Sequence, residues 1–507
     1  MPAPKLLDKA ASVAPHTYNR WLIPPAALAV HLSIGQAYAT SVYKNSLIAH
    51  FDTGQTQIGI IFSIAIVMLG LSAALGGTWV ERHGPRASMA VSALCWSSGF
   101  LIGALGIATS QLWLLYLGYG VIGGIGLGIG YISPVSTLIK WFPDRPGLAT
   151  GLAIMGFGGG ALVATPLSNQ LLTLYDPAYG TGDPASGNAL VALFVTLGLG
   201  YLALMSLGVA LIRIPPEGWH PPTTRTTRST NPMITTADVS ARNAVHTPQF
   251  WLLWIVLFTN VTAGIGILEQ ASPMIQDFFR TDGATAITAA AAGGFVGMLS
   301  LFNMLGRFVW SSTSDIIGRR NVYLLYLGLG AVLYAVLATT GATSVALFVA
   351  LACVILSFYG GGFATVPAYL RDLFGTYQVG AIHGRLLTAW SAAGIAGPLI
   401  INTFLDAEGE PGTLTQAAYT VPLLTMVGLL AIGFTANLLV RPVADRFHEP
   451  AAARTDANAA AAVTESGAPA AARNPALWLA LAWTLVTLLL GYGVVRIALT
   501  SAQLFTG

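Results

Sequence analysis

The sequence predicts an all-α polytopic membrane protein, and composition and patterning carry that prediction. Of the 507 residues, 54% are hydrophobic and only 8% are charged, and the charges cluster between long apolar runs. Runs of about 20 apolar residues are long enough to cross a hydrocarbon core as helices. Because lipid offers the backbone no hydrogen bonds, only helices or closed barrels can cross it. We therefore expect a bundle of transmembrane helices.

Thirteen apolar runs have the length of a membrane-spanning helix, and we number them spans 1 to 13. The predicted bounds are 21–43, 56–79, 87–108, 112–139, 147–172 and 189–212, then 249–273, 286–311, 322–340, 344–369, 381–404 and 416–440, and finally 476–500. The first 20 residues are polar and the first apolar run is long enough to span, so we expect no cleavable signal peptide.

Polar stretches between these runs set the predicted domain bounds. They give a cytoplasmic tail at 1–20, six-helix bundles at 21–213 and 249–441, a cytoplasmic linker at 214–248, a flexible tether at 442–475 and an additional helix at 476–500. The linker is rich in Pro, Thr and Arg and the tether in Ala, which is typical of segments without a packed core. An interfacial position for the last helix stays open, since Trp478, Trp483 and Arg496 can anchor a helix at a surface.

Lysine and arginine are distributed unequally along the chain, which predicts its orientation. With the N-terminus in the cytoplasm, 18 of the 23 basic residues are cytoplasmic, Lys44 and Arg280 lie in outer loops, and Arg307, Arg385 and Arg496 lie within spans. Basic residues concentrate on the cytoplasmic side of membrane proteins. We therefore predict a cytoplasmic N-terminus. The Ala-rich composition and the lack of a targeting peptide favour a bacterial inner membrane.

The two halves of the chain repeat each other at three places, with offsets of 232 to 238 residues. The matching pairs are Glu81-Arg82-His83-Gly84-Pro85-Arg86 with Asp315-Ile316-Ile317-Gly318-Arg319-Arg320, Gly130-Tyr131 with Gly362-Phe363, and Thr150 and Gly156 with Thr388 and Gly394. Duplicated six-helix halves favour a binding site near the midplane between them, opened alternately to each side.

Arg307 is the strongest candidate for a functional residue. It lies in the otherwise apolar span 8, eight residues before the charged turn that begins at Asp315. At 1.5 Å per residue this places it roughly 12 Å inside the membrane. A cation at that depth costs at least ~2.5–3.5 kcal/mol and normally faces a cavity or a partner. Arg307 therefore predicts that the chain moves an anion.

Other functional classes find little support in the residues. Cys95 and Cys353 have neither a disulfide framework nor metal-ligand spacing, so we expect no metal site. No phosphate-binding Gly-x-x-x-x-Gly-Lys loop is present, and no nucleophile–base pair lies in the spans, so we expect no ATP coupling, cofactor or enzymatic activity. The net charge of +3 is too small to suggest a nucleic acid partner.

The acidic-x-x-Gly-x-Arg turns after spans 2 and 8, together with six-plus-six spans and a polar linker, resemble the major facilitator superfamily over residues 20–441. Within it, the chain is similar to the oxalate:formate antiporter family, which is related to the monocarboxylate transporters. The stretches that carry this similarity are Ile34-Gly35-Gln36-Ala37-Tyr38, Arg145-Pro146-Gly147-Leu148-Ala149-Thr150-Gly151, Gly306-Arg307 with Ser314-Asp315, and Gly380-Ala381-Ile382-His383-Gly384-Arg385. The resemblance implies transport of small carboxylates through a central cavity.

The resemblance also implies roles for individual residues. Arg307 matches the family's span-8 arginine, which holds the substrate carboxylate, and the paired N–H groups of a guanidinium suit that role. Tyr131, Tyr38 and Gln36 match positions that line the cavity and donate hydrogen bonds to the carboxylate oxygens of the substrate. Trp390 lies where oxalate exchangers carry a lysine that supplies a second positive charge, and we expect it to shape the substrate cavity together with Gln36, Tyr38 and Tyr131.

Two further positions depart from the relatives. Asn303 lies where monocarboxylate transporters carry the aspartate used in proton coupling, and an amide cannot bind a proton in its place. Their span-1 lysine corresponds to Val42, although Lys44 is close by. A dianion facing one arginine would leave a carboxylate poorly compensated, so the sequence favours a monoanion.

Proton coupling and conformational control have their own candidates. His31, about halfway through span 1, titrates near neutrality and is a candidate for both the anion site and a proton carrier. Glu269 near the outer end of span 7 is the other proton-carrying candidate, with an interfacial position as its alternative. Arg385 and His383 either reach the cytoplasmic headgroups or guard the inner mouth of the cavity. We expect a cytoplasmic latch formed by Glu81, Arg86, Asp315 and Arg319.

The sequence therefore predicts a monomeric secondary transporter of small organic anions in the lipid bilayer. Monocarboxylates of the size of formate, lactate or pyruvate are the favoured substrates, driven by anion exchange or by a proton co-substrate. Oxalate–formate exchange is the alternative within transport, and would need His31 or Arg385 as a second cation. A transport-incompetent carboxylate sensor is the alternative of another class.

Overall fold

The structure is a computed structural model of the chain. It describes residues 7–15, 17–53, 55–181, 184–216, 218–219, 221, 233–281, 284–285, 287, 289–409, 414–449 and 475–501. Much of the predicted linker (217, 220 and 222–232) and most of the predicted tether (450–474) lie outside the described residues.

Long helices dominate the first half. Span 1 comprises Ile23–Ile34 and Ser41–Phe51, and spans 2, 3, 5 and 6 are Gln55–His83, Pro85–Ala108, Pro146–Tyr175 and Gly187–Leu211. Span 4 consists of Leu112–Leu115 and Gly124–Trp141, joined by a π-helical stretch at Tyr116–Gly123. Short 3-10 turns occur at Ala10–Ser12, Arg20–Leu22, Gly35–Ala39 and Pro177–Thr181.

The second half has the same organisation. A short helix at Ala241–Ala244 precedes spans 7 to 10, which are Pro248–Phe278, Ala289–Ile317, Arg319–Thr340 and Val345–Phe374. Span 11 is divided into Val379–Leu386 and Thr388–Glu408, and spans 12 and 13 are Gln416–Leu439 and Pro475–Ser501. Two-residue strands, Arg280–Thr281 and Ala284–Thr285, pair antiparallel in the loop before span 8, and 3-10 turns occur at Gly341–Thr343 and Asp445–Phe447.

Twelve helices of the described chain are long and apolar enough to cross a membrane, namely spans 2 to 13. The architecture is a six-plus-six arrangement of membrane helices with an additional C-terminal helix, as the sequence predicts. Span 1 was predicted as one continuous run, but the structure breaks it at Gly35. A Cβ built on Gly35 would lie 2.2 Å from the carbonyl oxygen of Phe157, so only glycine permits this approach of spans 1 and 5.

The two halves meet along two pairs of helices. In the span-5/span-8 seam, the Ser311 hydroxyl donates to the Gly147 carbonyl oxygen at 2.7 Å and lies 3.1 Å from the Thr150 hydroxyl. In the span-2/span-11 seam, a Cβ built on Gly384 would lie 2.1 Å from the Ala73 carbonyl oxygen. Both sets of contacts lie towards the predicted cytoplasmic ends of the spans, so the halves are packed backbone to backbone there.

Span 13 lies against spans 1, 5 and 8 and therefore touches both halves. The Trp483 indole N–H donates to the Trp21 carbonyl oxygen at 3.0 Å, and the Tyr492 hydroxyl donates to Gln170 Oε1 at 2.9 Å. Trp21 precedes span 1, whereas Gln170 lies 24 residues into span 5. Span 13 thus runs from the entrance of span 1 towards the opposite end of span 5, which supports a spanning rather than an interfacial helix.

We expect a Gly493→Leu substitution to displace span 13. A Cβ built on Gly493 would lie 2.7 Å from the backbone oxygen of Leu162, so a larger side chain cannot be accommodated, and such overpacking destabilises by about 1–3 kcal/mol. Gly491→Leu is a matched control in the same helix, because a Cβ there meets nothing within 4 Å. Thermal unfolding in detergent should show a lower midpoint for Gly493→Leu alone. Equal midpoints would contradict the packing described.

Candidate functional site

Arg307 reaches from span 8 towards span 5 and is completely buried, with 0% of its surface exposed. Its Nε–H donates to Asn303 Oδ1 at 3.1 Å, and Nη1 donates to the Ile154 carbonyl oxygen at 3.3 Å. Nη2 has no hydrogen-bond partner in the described chain. These two bonds fix the plane of the guanidinium and leave one of its nitrogens free for a ligand.

No carboxylate of the described residues pairs with this cation. Seven ion pairs occur among the described residues, and none includes Arg307. Its guanidinium lies 5.6 Å from the ring centre of Phe157 and 5.3 Å from that of Phe363, and such contacts compensate a charge only partly. A buried charge without a counter-ion is energetically costly, so the site is suited to reversible binding of an anion.

Aromatic rings from both halves surround the guanidinium. The ring of Trp390 in span 11 lies 4.4 Å from that of Phe363, 5.4 Å from that of Phe157 and 5.5 Å from that of Tyr131. Tyr38 lies edge-on to Phe157 at 5.2 Å. Trp390 therefore lies between the halves with the other predicted site residues. Phe157, Tyr131 and Trp390 are fully buried, and such a low-dielectric surrounding strengthens any charge interaction made by Arg307.

Several neutral donors in this region have no hydrogen-bond partner among the described residues. They are the hydroxyls of Tyr38, Tyr131 and Tyr359 and the indole N–H of Trp390, and of these the Tyr38 hydroxyl approaches both the Tyr359 hydroxyl and the Arg307 guanidinium. The three tyrosines are near enough to Arg307 to interact with its charge. An unsatisfied buried polar atom costs roughly 1–3 kcal/mol, whereas a carboxylate accepts about four hydrogen bonds. Unpaired donors beside one cation are the kind of groups that a carboxylate ligand can accept hydrogen bonds from.

Gln36 is a predicted site residue whose amide is engaged elsewhere. Its Nε2 donates to the Tyr43 hydroxyl at 2.9 Å, and the Tyr119 hydroxyl donates to its Oε1 at 3.1 Å. These partners belong to the first half and hold both ends of the amide. The sequence showed the amide at a suitable place in span 1, but its orientation is set by Tyr43, two turns later in that span, and by Tyr119, which is distant in the sequence.

His31 bridges two backbones. Its Nδ1 lies 2.6 Å from the Ala153 carbonyl oxygen and its Nε2 lies 3.2 Å from the Tyr131 carbonyl oxygen. Both partners are acceptors, so a neutral ring can satisfy one and a protonated ring both. His31 is therefore built into the contact of spans 1, 4 and 5. The side chain of the other proton-carrying candidate, Glu269, lies outside the described residues.

Phe157 and Ile154 contribute to the site without having been predicted from the sequence. Phe157 touches Tyr38, Tyr131 and Trp390, but a single aromatic residue in the glycine-rich span 5 carries no distinguishing signal. Ile154 contributes a backbone carbonyl, which leaves no trace in the side-chain pattern. Asn303 was recognised as a departure from relatives, and its position one turn before Arg307 was the available signal for their hydrogen bond.

Asp315 connects the halves at the predicted cytoplasmic side. Its carboxylate accepts hydrogen bonds from the backbone N–H groups of Gly147 at 2.8 Å and Leu148 at 2.9 Å, in the first turn of span 5. Arg319 pairs with the same carboxylate at 2.5 Å and with Asp372 at 3.3 Å. A carboxylate at a helix N-terminus is stabilised by the free N–H groups and the helix dipole.

Glu81 makes the corresponding contact in the repeat. Its Oε1 accepts from the backbone N–H of Gly380 in the first turn of span 11 at 3.2 Å, and its Oε2 pairs with Lys140 at 2.8 Å. Lys9 donates to the Glu81 carbonyl oxygen, and its pKa is lowered by burial and by the nearby Lys140 charge, with Glu81 opposing both. Arg86 donates to the Ala11 carbonyl oxygen in its own half at 3.1 Å.

The sequence of this chain matches known transporters over most of its length. Residues 26–398 and 283–506 match the family model of the Major Facilitator Superfamily. The oxalate:formate antiporter of Oxalobacter formigenes is 26% identical over 380 residues, covering 75% of this chain and 83% of the relative. Apicoplast pyruvate carrier 1 of Toxoplasma gondii is 26% identical over 400 residues, covering 69% of this chain and 70% of the relative.

The fold also matches a solved structure. A point variant of the fucose:proton symporter of E. coli superposes with a TM-score of 0.60 at 16% identity, covering 84% of this chain and 100% of that one. At this identity the likeness concerns the fold alone. The architecture predicted from the sequence is thereby confirmed.

Proposed function

We propose that this chain, which belongs to the Major Facilitator Superfamily of transporters, is a secondary active carrier of small organic monocarboxylates. The observation that carries the proposal is Arg307, a fully buried cation without a carboxylate partner in the described chain. Arg307 would bind the carboxylate through Nη2, with Tyr38, Tyr131 and Trp390 donating to the remaining lone pairs. The aromatic rings lie close to one another around the guanidinium, which favours small substrates of formate to pyruvate size.

The charge around the site favours a monoanion over a dianion. Apart from Arg307, the unpartnered donors in this region are phenols, an indole and the imidazole of His383, none of which carries a permanent charge. A second carboxylate would therefore enter a low-dielectric site without a cation to balance it. One guanidinium and one carboxylate leave the loaded site neutral, which suits passage through the membrane.

Oxalate–formate exchange is the second candidate, supported by the similarity to the Oxalobacter formigenes antiporter. It would require a second cation beside the substrate. The Arg385 guanidinium donates to the Ala241 carbonyl oxygen ahead of span 7, which directs it away from Arg307. His31 is held between two backbone carbonyls. Neither predicted substitute is positioned for a dianion in this conformation, so monocarboxylates remain our first proposal.

Alternating access would operate through the two seams. The contacts of Asp315 with Gly147 and Leu148, and of Glu81 with Gly380, close the predicted cytoplasmic side. Opening that side requires both carboxylates to leave the helix N-termini that they cap. Exchange of one anion for another, or uptake of a proton with the anion, would supply the driving force.

The function is tested by uptake of labelled formate, L-lactate, pyruvate and oxalate into proteoliposomes, with and without an inward proton gradient. We expect one or more monocarboxylates to enter and oxalate to be excluded. Oxalate entering in exchange for formate would favour the second candidate. Binding of a carboxylate without flux would favour a sensor. A response to the gradient would direct the search for a proton carrier to His31 and Glu269.

An Asn303→Asp substitution tests the charge argument. The new carboxylate would stand 3.1 Å from Arg307 Nε, pair with the guanidinium and compete with the substrate, so uptake near neutral pH should fall at least about tenfold. Protonation removes that negative charge, so uptake should recover as the pH is lowered. Initial rates across the pH range measure both effects. Asn303→Ala, which adds no charge, should show no such recovery; a recovery there would contradict the explanation.

A further inference from the structure

His383 in span 11 is a buried side chain that makes no hydrogen bond in the described chain and has no role in the site described above. Only 2% of its surface is exposed, and neither ring nitrogen has a hydrogen-bond partner in the described chain. A neutral imidazole carries one N–H and one acceptor nitrogen, and buried polar groups are almost always paired. His31, in contrast, has a carbonyl oxygen at each ring nitrogen. The ring nitrogens of His383 are therefore available to form a hydrogen bond with a ligand.

The ring of His383 lies between the two halves. Its centre is 5.8 Å from that of Tyr131, a span-4 residue that also contacts Trp390 at 5.5 Å. His383 and Trp390 are two helical turns apart in sequence, so Tyr131 bridges them across the interface. The ring is also near enough to His31 for the two imidazoles to interact. His383 is therefore continuous with the anion site.

Along the membrane normal, His383 lies on the predicted cytoplasmic side of that site. From the start of span 11 at Val379, His383 is about 6 Å along the helix and Trp390 about 16 Å, at 1.5 Å per residue. Any ligand that leaves Arg307 towards the cytoplasm passes Trp390 and Tyr131 and then reaches the level of His383.

The span-2/span-11 seam closes on either side of this residue. A Cβ built on Gly77 would lie 2.7 Å from the Ala381 Cα, and one built on Gly384 would lie 2.1 Å from the Ala73 carbonyl oxygen. Positions 381 and 384 face span 2, whereas His383, on another face of the same turns, lies against Tyr131 of the first half, so separation of the halves at this seam would expose its ring. In the present conformation the same contacts hide it from water.

We propose that His383 is a second contact for the substrate carboxylate, used on the predicted cytoplasmic side of the site. When the inner side is open, the imidazole N–H donates to the anion between its release from Arg307 and its entry into the cytoplasm. The proposal rests on the proposed function, since the ligand is the same monocarboxylate. It requires no change in charge at His383, because a neutral imidazole already carries one donor.

The test compares the substrate concentration that gives half-maximal transport on the cytoplasmic face with that on the outer face. Both are measured by exchange of the monocarboxylate that the wild type carries, in proteoliposomes in which the protein has a single orientation. His383→Leu should raise the value on the cytoplasmic face about tenfold, as expected for a lost hydrogen bond to a charged group, and leave the outer face unchanged. His383→Gln, which keeps an N–H donor, should restore much of the affinity. Arg307→Gln should lose transport from both faces.

Three outcomes would overturn the proposal. They are equal changes on both faces, no change on either face, or a Gln variant no better than Leu. The Leu variant should unfold at the wild-type temperature or above, since an apolar group replaces an unpaired polar one. If the Leu variant does not fold, the affinities of His383→Gln and His383→Asn on the cytoplasmic face are compared with that of the wild type. Both variants keep an N–H donor, so a donor role for His383 predicts that they retain much of the affinity. Wild type without monocarboxylate flux would overturn the proposed function itself, and this proposal with it.

Discussion

Replacing Arg307 with lysine should lower uptake about 100-fold, although the positive charge is kept. The guanidinium makes two bonds that orient it, to Asn303 Oδ1 and to the Ile154 carbonyl oxygen, and presents a third nitrogen to the ligand. A lysine ammonium is a single charged point that cannot hold both partners and face the anion. A 100-fold loss corresponds to about 2.7 kcal/mol, within the range for charge-assisted hydrogen bonds. Initial rates of uptake in proteoliposomes measure the effect.

Arg385→Lys is the matched control for this prediction. Arg385 is also an arginine within a span, but its guanidinium donates to the Ala241 carbonyl oxygen, a partner that a lysine can still reach. We expect uptake within a few-fold of wild type. Near-normal uptake by Arg307→Lys would contradict the assignment of the site. An equal loss in both variants would indicate that two cations hold the substrate, as oxalate exchange requires.

The sequence predicted the parts of this fold and site that depend on local pattern. Arg307 was identifiable because one cation interrupts an apolar run, and the costs of burying charge make such a residue informative. The spans were identifiable from length and composition, and span 13 from the same signal. The repeat of Glu81 and Asp315 indicated equivalent roles, which their contacts with Gly380 and Gly147 now describe.

What depends on distant contacts was not predictable. The break in span 1 lies where Gly35 meets the Phe157 carbonyl oxygen, and nothing in a continuous apolar run distinguishes that glycine from others. The direction of Gln36 is decided by Tyr43 and Tyr119. Likewise, the position of span 13 against spans 1, 5 and 8 depends on the surfaces of those helices, which the sequence of span 13 does not reveal. The pattern of apolar and polar residues predicts which side chains lie in the membrane, whereas tertiary contacts decide which of their polar groups remain available to a ligand.

An Asp315→Asn substitution should open the predicted cytoplasmic side. The carboxylate accepts N–H bonds from Gly147 and Leu148 with its two oxygens and pairs with Arg319. Asparagine keeps the shape but removes the charge, and it presents an NH₂ group to one of two backbone donors. Hydrogen bonds to charged groups contribute about 1.5–3 kcal/mol, so the equilibrium between closed and open forms should shift by about 10- to 100-fold.

The shift can be measured by the reactivity of a cysteine placed in the span-5/span-8 seam. Thr150 is fully buried and lies 3.1 Å from Ser311 across that seam, so Thr150→Cys reports its opening when Cys95 and Cys353 are replaced by alanine. We expect a membrane-impermeant maleimide to react at least about tenfold faster with the Asp315→Asn variant, in proportion to the open population. The label should reach the cysteine from the predicted cytoplasmic side.

Two further variants make the result specific. Asp144→Asn removes a carboxylate that pairs with Arg20 in the same half at 2.8 Å, so it should leave the cysteine protected. Glu81→Gln should have a smaller effect than Asp315→Asn, because Glu81 accepts one cross-half bond at 3.2 Å where Asp315 accepts two shorter ones. Equal reactivity in the Asp315 and Asp144 variants would mean that apolar packing alone closes the seam. The graded order would instead show that charge at two helix N-termini controls which side of the transporter is open.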